Sequence, residues 1–154
     1  MARDGAGSAG EAIDWLLRAA PRPAPSRAEW EHCGGGLTAL LAGVAWDAVQ
    51  TSLTLGIEAV DTLRYAGVAG PALCRADCGV VLVLVPVGTA ATWHPTGGAV
   101  ALGAGRRLLV PYPGQSFGAD YWLIPPDGSG FLTDPGLLRT ALRRAAALYA
   151  AAAW

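Results

Sequence analysis

The stretch Gly79-Val80-Val81-Leu82-Val83-Leu84-Val85-Pro86-Val87-Gly88 carries an apolar side chain at every position from 80 to 85. A strand with one wet face alternates apolar and polar residues, so this unbroken, mostly β-branched run predicts a central strand buried on both faces. The run is too short to span a bilayer and too β-branched for a signal core. A chain of 154 residues that is 53% hydrophobic can close a core of its own around such a strand, and one ordinary domain is expected.

The other elements follow from periodicity and punctuation. Ser8-Ala9-Gly10-Glu11 has capping-box spacing, and Ile13, Leu16, Leu17 and Ala20 share a helical face, predicting a first helix over about 9–20. Pro21-Arg22-Pro23-Ala24-Pro25-Ser26 reads as an extended linker, and Glu29 to Cys33 as one short turn before the glycines at 34–36. The expected organisation is thus an N-terminal helix with a Pro/Gly-rich linker over 1–36 and a single α+β domain over 37–154. Leu37 to Val49 fits helical spacing in its first half, but Gly43 breaks that reading and a strand is expected at about 43–49. Thr51 or Ser52 then caps a helix over about 53–66, with Leu53, Ile57, Val60 and Leu63 on its apolar side.

Ala72-Leu73-Cys74 and Val80 to Val85 flank a turn of hairpin length, Arg75 to Gly79. A second hairpin is expected from Ala99–Leu102 through Gly103-Ala104-Gly105-Arg106 into Leu108–Val110, then a strand at Tyr121–Ile124. Asp134-Pro135 opens a terminal helix, with Leu138, Ala141, Leu142, Ala145 and Tyr149 as its buried stripe. The order predicts an α+β fold, a largely antiparallel or mixed sheet with helices packed on one face.

All basic residues are arginine, and lysine and asparagine are absent, a bias expected of a GC-rich, actinobacterial genome. A formal net charge of −1 argues against broad electrostatic capture of nucleic acid. The N-terminus, Met1-Ala2-Arg3-Asp4-Gly5, has no signal-peptide pattern, so a cytoplasmic protein without a membrane partner is expected.

The sharpest functional candidate is Asp47, alone within Gly43-Val44-Ala45-Trp46-Asp47-Ala48-Val49, because a carboxylate there must be paired, coordinated or solvated. Thr92-Trp93-His94-Pro95 places a histidine in a loop, where it suits acid–base or phosphate contact as well as plain surface exposure. Cys74 and Cys78 bracket a turn and could join His32, Cys33 and His94 around zinc, but the spacing is no zinc knuckle, and two buried free thiols with surface histidines are the better reading. The glycines at 34–36 lack the lysine–serine pair and the spacing of a phosphate loop. Arg139, Arg143 and Arg144 are expected to solvate the outer side of the last helix, and Arg106-Arg107 a hairpin tip.

The segment Gly43–Val49, the helix ending in Val60-Asp61-Thr62-Leu63, Gly70-Pro71-Ala72 leading into Val80–Ala90, and Tyr121-Trp122-Leu123-Ile124-Pro125-Pro126-Asp127 before a long helix span roughly residues 40 to 150. Together they resemble the small actinobacterial proteins grouped with the bifunctional DNA primase/polymerase N-terminal (prim-pol) family. The resemblance implies the archaeo-eukaryotic primase fold. Active members hold divalent metal, Mg²⁺ or Mn²⁺, with a strand motif of two aspartates separated by one residue, and contact nucleotide through a small-residue-x-histidine motif. Asp47 matches the first aspartate and the metal-ligand position, Val49 stands where the second should be, and Thr92-Trp93-His94 fits the histidine motif loosely. Asp120 is the candidate third acid, so the resemblance places catalytic roles at Asp47, His94 and Asp120.

Two-metal nucleotidyl transfer needs anchoring carboxylates for each ion, and Val49 removes one. The expectation is a catalytically degenerate prim-pol-like domain that keeps nucleotide or nucleic-acid contact. The alternative is a non-enzymatic interaction module that dimerises or docks a partner protein through exposed tryptophans and Leu/Ala-rich helices, with the C-terminal helix as the expected contact.

Overall fold

The computed structural model describes residues 5–32 and 36–152. Its elements in chain order are α1 (Gly5–Leu17), α2 (Pro23–His32), β1 (Leu37–Leu41), β2 (Asp47–Ser52), α3 (Leu53–Tyr65), β3 (Ala72–Arg75), β4 (Val80–Val85), the single turn α4 (Thr89–Thr92), β5 (Val100–Leu102), β6 (Arg107–Pro111), β7 (Ser116–Phe117), β8 (Asp120–Ile124) and α5 (Pro135–Ala152). The fold is α+β. Six strands form an antiparallel sheet in the order β5-β2-β4-β3-β8-β7, and β1 and β6 pair as a separate antiparallel ribbon.

β4 lies between β2 and β3, and its alternation sorts the core into two halves. Val81, Val83 and Val85 face the layer that holds Ala59, Val60 and Leu63 of α3 and Leu138, Ala141 and Leu142 of α5. Leu82 and Leu84 face the opposite layer, with Ile13, Leu16 and Leu17 of α1, Leu40 of β1, Leu108 and Val110 of β6, and Trp15, Trp30, Trp46 and Trp122. The helices α3 and α5 therefore cover one face as a pair, while α1 and the ribbon close the other. α3 begins where Ser52 takes the N-cap, its hydroxyl accepting from the Leu55 amide at 3.3 Å. α5 begins at Asp134, whose carboxylate accepts from the Leu137 amide at 3.0 Å.

Several local expectations are corrected. Residues 21–26 are not an extended linker: α2 runs from Pro23 to His32 and absorbs the expected turn at 29–33 as far as it is described. Prolines at 23 and 25 are tolerated because amides in a first helical turn have no intrahelical partner to lose. α2 is tied down by the Arg27–Asp14 ion pair and by Trp30, 2% exposed and edge-on to Tyr112. α1 starts at Gly5, so Ser8 lies inside the helix rather than capping it. Beyond Leu17 the chain tightens through bonds of Arg18, Ala19 and Ala20 to carbonyls three residues back.

Leu37–Leu41 is a strand despite its helical spacing, and the strand expected at 43–49 starts at Asp47. Gly43 makes the turn between them, with φ +89 and an amide bonded to the Trp46 carbonyl at 2.8 Å. The strands of the expected second hairpin exist but do not pair with each other. β5 joins β2 (Val49 opposite Ala101), β6 joins β1 (Leu40 opposite Leu108), and residues 103–106 cross between the sheets. The buried stripe of α5 ends at Ala145, leaving Tyr149 45% and Leu148 58% exposed. The tryptophans expected on the surface are core residues instead: Trp15, Trp30, Trp46, Trp93 and Trp122 are all buried. No helix among the described residues is long and apolar enough to cross a membrane.

α3 docks closely on β4 because Gly56 has no side chain: an added Cβ would stand 2.6 Å from Val81 Cβ. Gly→Ala inside a helix ordinarily stabilises by about 1 kcal/mol. Here overpacking reverses the sign, and Gly56→Ala should lower the unfolding free energy by about 1–3 kcal/mol in urea denaturation.

Candidate functional site

Asp47 is the first residue of β2, opposite Val85 at the end of β4. Its side chain shares a face with Val49, on the α3/α5 side of the sheet, and the residue is 2% exposed. The carboxylate is engaged by backbone. Oδ2 accepts from the Gly88 amide at 3.0 Å and from the Ala90 amide at 2.9 Å. Both donors lie where β4 turns into α4, so Asp47 satisfies the free amides of that turn from across the sheet, as an N-cap would from within the chain. Hydrogen bonds from amides to an ionised carboxylate are of the stronger, charge-assisted kind.

Gly103 and Ala90 wall the group in: a Cβ built on Gly103 would stand 2.7 Å from Ala90 Cβ and 3.8 Å from Asp47 Oδ2. The second oxygen, Oδ1, is buried without a hydrogen-bond partner among the described residues.

Among the described residues, the hydrogen bonds of Asp47 involve none of the other sequence-derived candidates. His94 is exposed beyond α4, and its carbonyl accepts from the Thr96 hydroxyl at 3.1 Å. The preceding Trp93 does the packing. It is 7% exposed, donates from Nε1 to the Ala99 carbonyl at 3.1 Å, and carries the Arg139 guanidinium 4.7 Å above its ring. Arg139 is thus half-buried by a cation–π contact rather than simply solvated, whereas Arg143 and Arg144 are exposed as expected.

Asp120 opens β8 opposite Arg75, whose Nε lies 3.5 Å from Oδ1. Arg75 pairs with Val80, and Val80 with Ser52, so Asp120 sits at the end of the sheet away from Asp47. It also lies on the opposite face, in line with Leu73 and Trp122. Three steps across the sheet and five along it put the two aspartates on the order of 20 Å apart, beyond the reach of one metal centre.

Cys74 is buried in β3 as expected, facing α3 and α5, whereas Cys78, expected to be buried too, is exposed in the turn that follows. The Cys74 side chain, hydrogen-bonded to Tyr121 on the neighbouring strand, raises the Tyr121 phenol above its ordinary value, with the thiol's charge and burial adding in the same direction. The His32 side chain and Cys33 lie outside the described residues. Among the described residues no three His, Cys, Asp or Glu side chains are grouped to hold a metal ion. Compared with family models, curated proteins and solved structures, the chain matches none.

Sequence reasoning found Asp47 but missed its partners. The signal available was Gly88-Thr89 at the end of the apolar run, a strand-to-helix turn with amides to satisfy. Asp47→Ala would leave both amides without an acceptor and should cost about 2–4 kcal/mol. Asp47→Asn, which keeps an acceptor oxygen, should cost less. Urea denaturation checks the ranking, and amide exchange at Gly88 and Ala90 should accelerate most in the alanine variant.

Proposed function

We propose that this chain is a non-enzymatic interaction module, a prim-pol-like domain whose aspartate has become a structural acceptor. The observation that carries the reading is the Asp47 carboxylate itself: nearly sealed from solvent and bonded through one oxygen to two backbone amides. A metal-holding carboxylate must offer oxygens to an ion that also meets substrate phosphates. Asp47 instead offers its bonds to the turn after β4. The distance between Asp47 and Asp120 supports the same reading.

An interaction role is supported by apolar surface left uncovered. Past Ala145, α5 carries exposed Leu148 and Tyr149, a surface suited to a second copy or a partner protein. Nucleotide or nucleic-acid contact is the second reading, and it rests on the resemblance around Asp47 and Thr92-Trp93-His94 alone.

The purified protein should incorporate no labelled nucleotide on a primed template with Mg²⁺ or Mn²⁺. Template-dependent incorporation that disappears in a folded Asp47→Asn variant would overturn the reading.

A further inference from the structure

We propose that the outer edge of β1 binds an extended, acidic peptide segment of a partner protein by strand addition. This rests on the reading of the chain as an interaction module and assigns that module a binding surface. Among the described residues β1 pairs on one side only, with β6. The Ala42 amide donates to the Arg106 carbonyl towards β6, and the Leu41 amide to the Ala19 carbonyl on the opposite side. Antiparallel alternation then turns the backbone groups of Thr38 and Leu40 towards β6 and those of Leu37 and Ala39 outward. Beyond Ala19 no described backbone group bonds to that edge.

A groove of about 410 Å³ lies along it, between the start of α2 and the ribbon. Pro25 and Arg22 form one wall, Leu37, Ala39 and Leu109 the other, with Arg107 beside them. Proline has no N–H, so the helix wall gives the strand edge little to bond with. Ser26 and Thr38 add hydroxyls to this lining, and Arg22 and Arg107 are its charged residues. Arg22 and Arg107 are both exposed, and among the described residues neither forms an ion pair and no carboxylate lines the groove.

These features select one occupant. Outward amides and carbonyls on alternate residues repeat at about 7 Å, the repeat of an extended chain. Strand addition supplies main-chain bonds, while side-chain contacts supply the choice of partner. Two exposed guanidinium groups, neither in an ion pair among the described residues, favour carboxylates on the incoming segment. A second copy of β1 would bring its own Arg22 and Arg107 towards these, so like charges oppose self-pairing at this edge.

The test is fluorescence anisotropy with a short fluorescein-labelled peptide of alternating Glu and Val, against a Lys–Val peptide and oligothymidylate. The Glu–Val peptide should bind and the other two should not. Arg22→Glu/Arg107→Glu, which alters exposed residues only, should weaken binding by about tenfold or more. Amide exchange at Leu37 and Ala39 should slow when the peptide is added to the native chain.

Equal affinity of the native and doubly substituted proteins, protection confined to other strands, preference for oligothymidylate, or no peptide binding would each overturn the edge site. Primer extension run in parallel separates the two failures. Incorporation dependent on Asp47 removes the module reading, whereas absent incorporation with absent peptide binding removes the β1 site alone.

Discussion

The burial of β4 on both faces is the constraint from which the rest of the architecture follows. A strand whose side chains at 81–85 are all buried needs a layer above and a layer below. The chain supplies them from distant segments. α3 and α5, separated by more than half of the sheet, close one side. α1 and the β1/β6 ribbon, drawn from the N-terminal third and the start of the last third, close the other. Close packing makes small residues as necessary as large ones, since the approach of α3 to β4 exists only because position 56 is glycine.

At the end of β4 the chain must reverse, and the reversal exposes amides that no ladder satisfies. Asp47, the last partner of β4 on the neighbouring strand, resolves this by reaching across to Gly88 and Ala90. A buried charge in an apolar run has few solutions: a metal, a counter-ion or an array of oriented amides. In this structure the carboxylate takes the third, with Oδ2 accepting from both amides of the turn. The same residue pattern read in the sequence alone is compatible with all three.

The legible parts of the fold were those encoded locally. β4, the β3/β4 hairpin, α3 with its Ser52 cap and α5 with its Asp134 cap lie where their residues predict them, because strand continuity, capping and helical period act within a few positions. The misread parts were decided at long range. Leu37–Leu41 has helical spacing but is held as a strand by β6, some seventy residues later. β5 and β6 look like hairpin arms, yet each gains more by pairing with β2 and β1 than with the other. The prolines at 23 and 25 signal a linker until Trp30 is seen to anchor a helix that starts among them. At the site, the sequence left Asp47 open between an engaged carboxylate and one facing solvent at a sheet edge, and the fold decides for burial. Its amide partners and its distance from Asp120 depend on strand order, which no local pattern states.

The tryptophans are unevenly divided between the two core layers. Trp15, Trp30, Trp46 and Trp122 all belong to the layer beneath α1 and the ribbon, while Trp93 alone belongs to the α3/α5 layer among the described residues. Intrinsic fluorescence of this protein is therefore a lopsided reporter. Its emission follows the looseness or tightness of one half of the molecule, and a partial opening beneath α5 would leave most of that light unchanged.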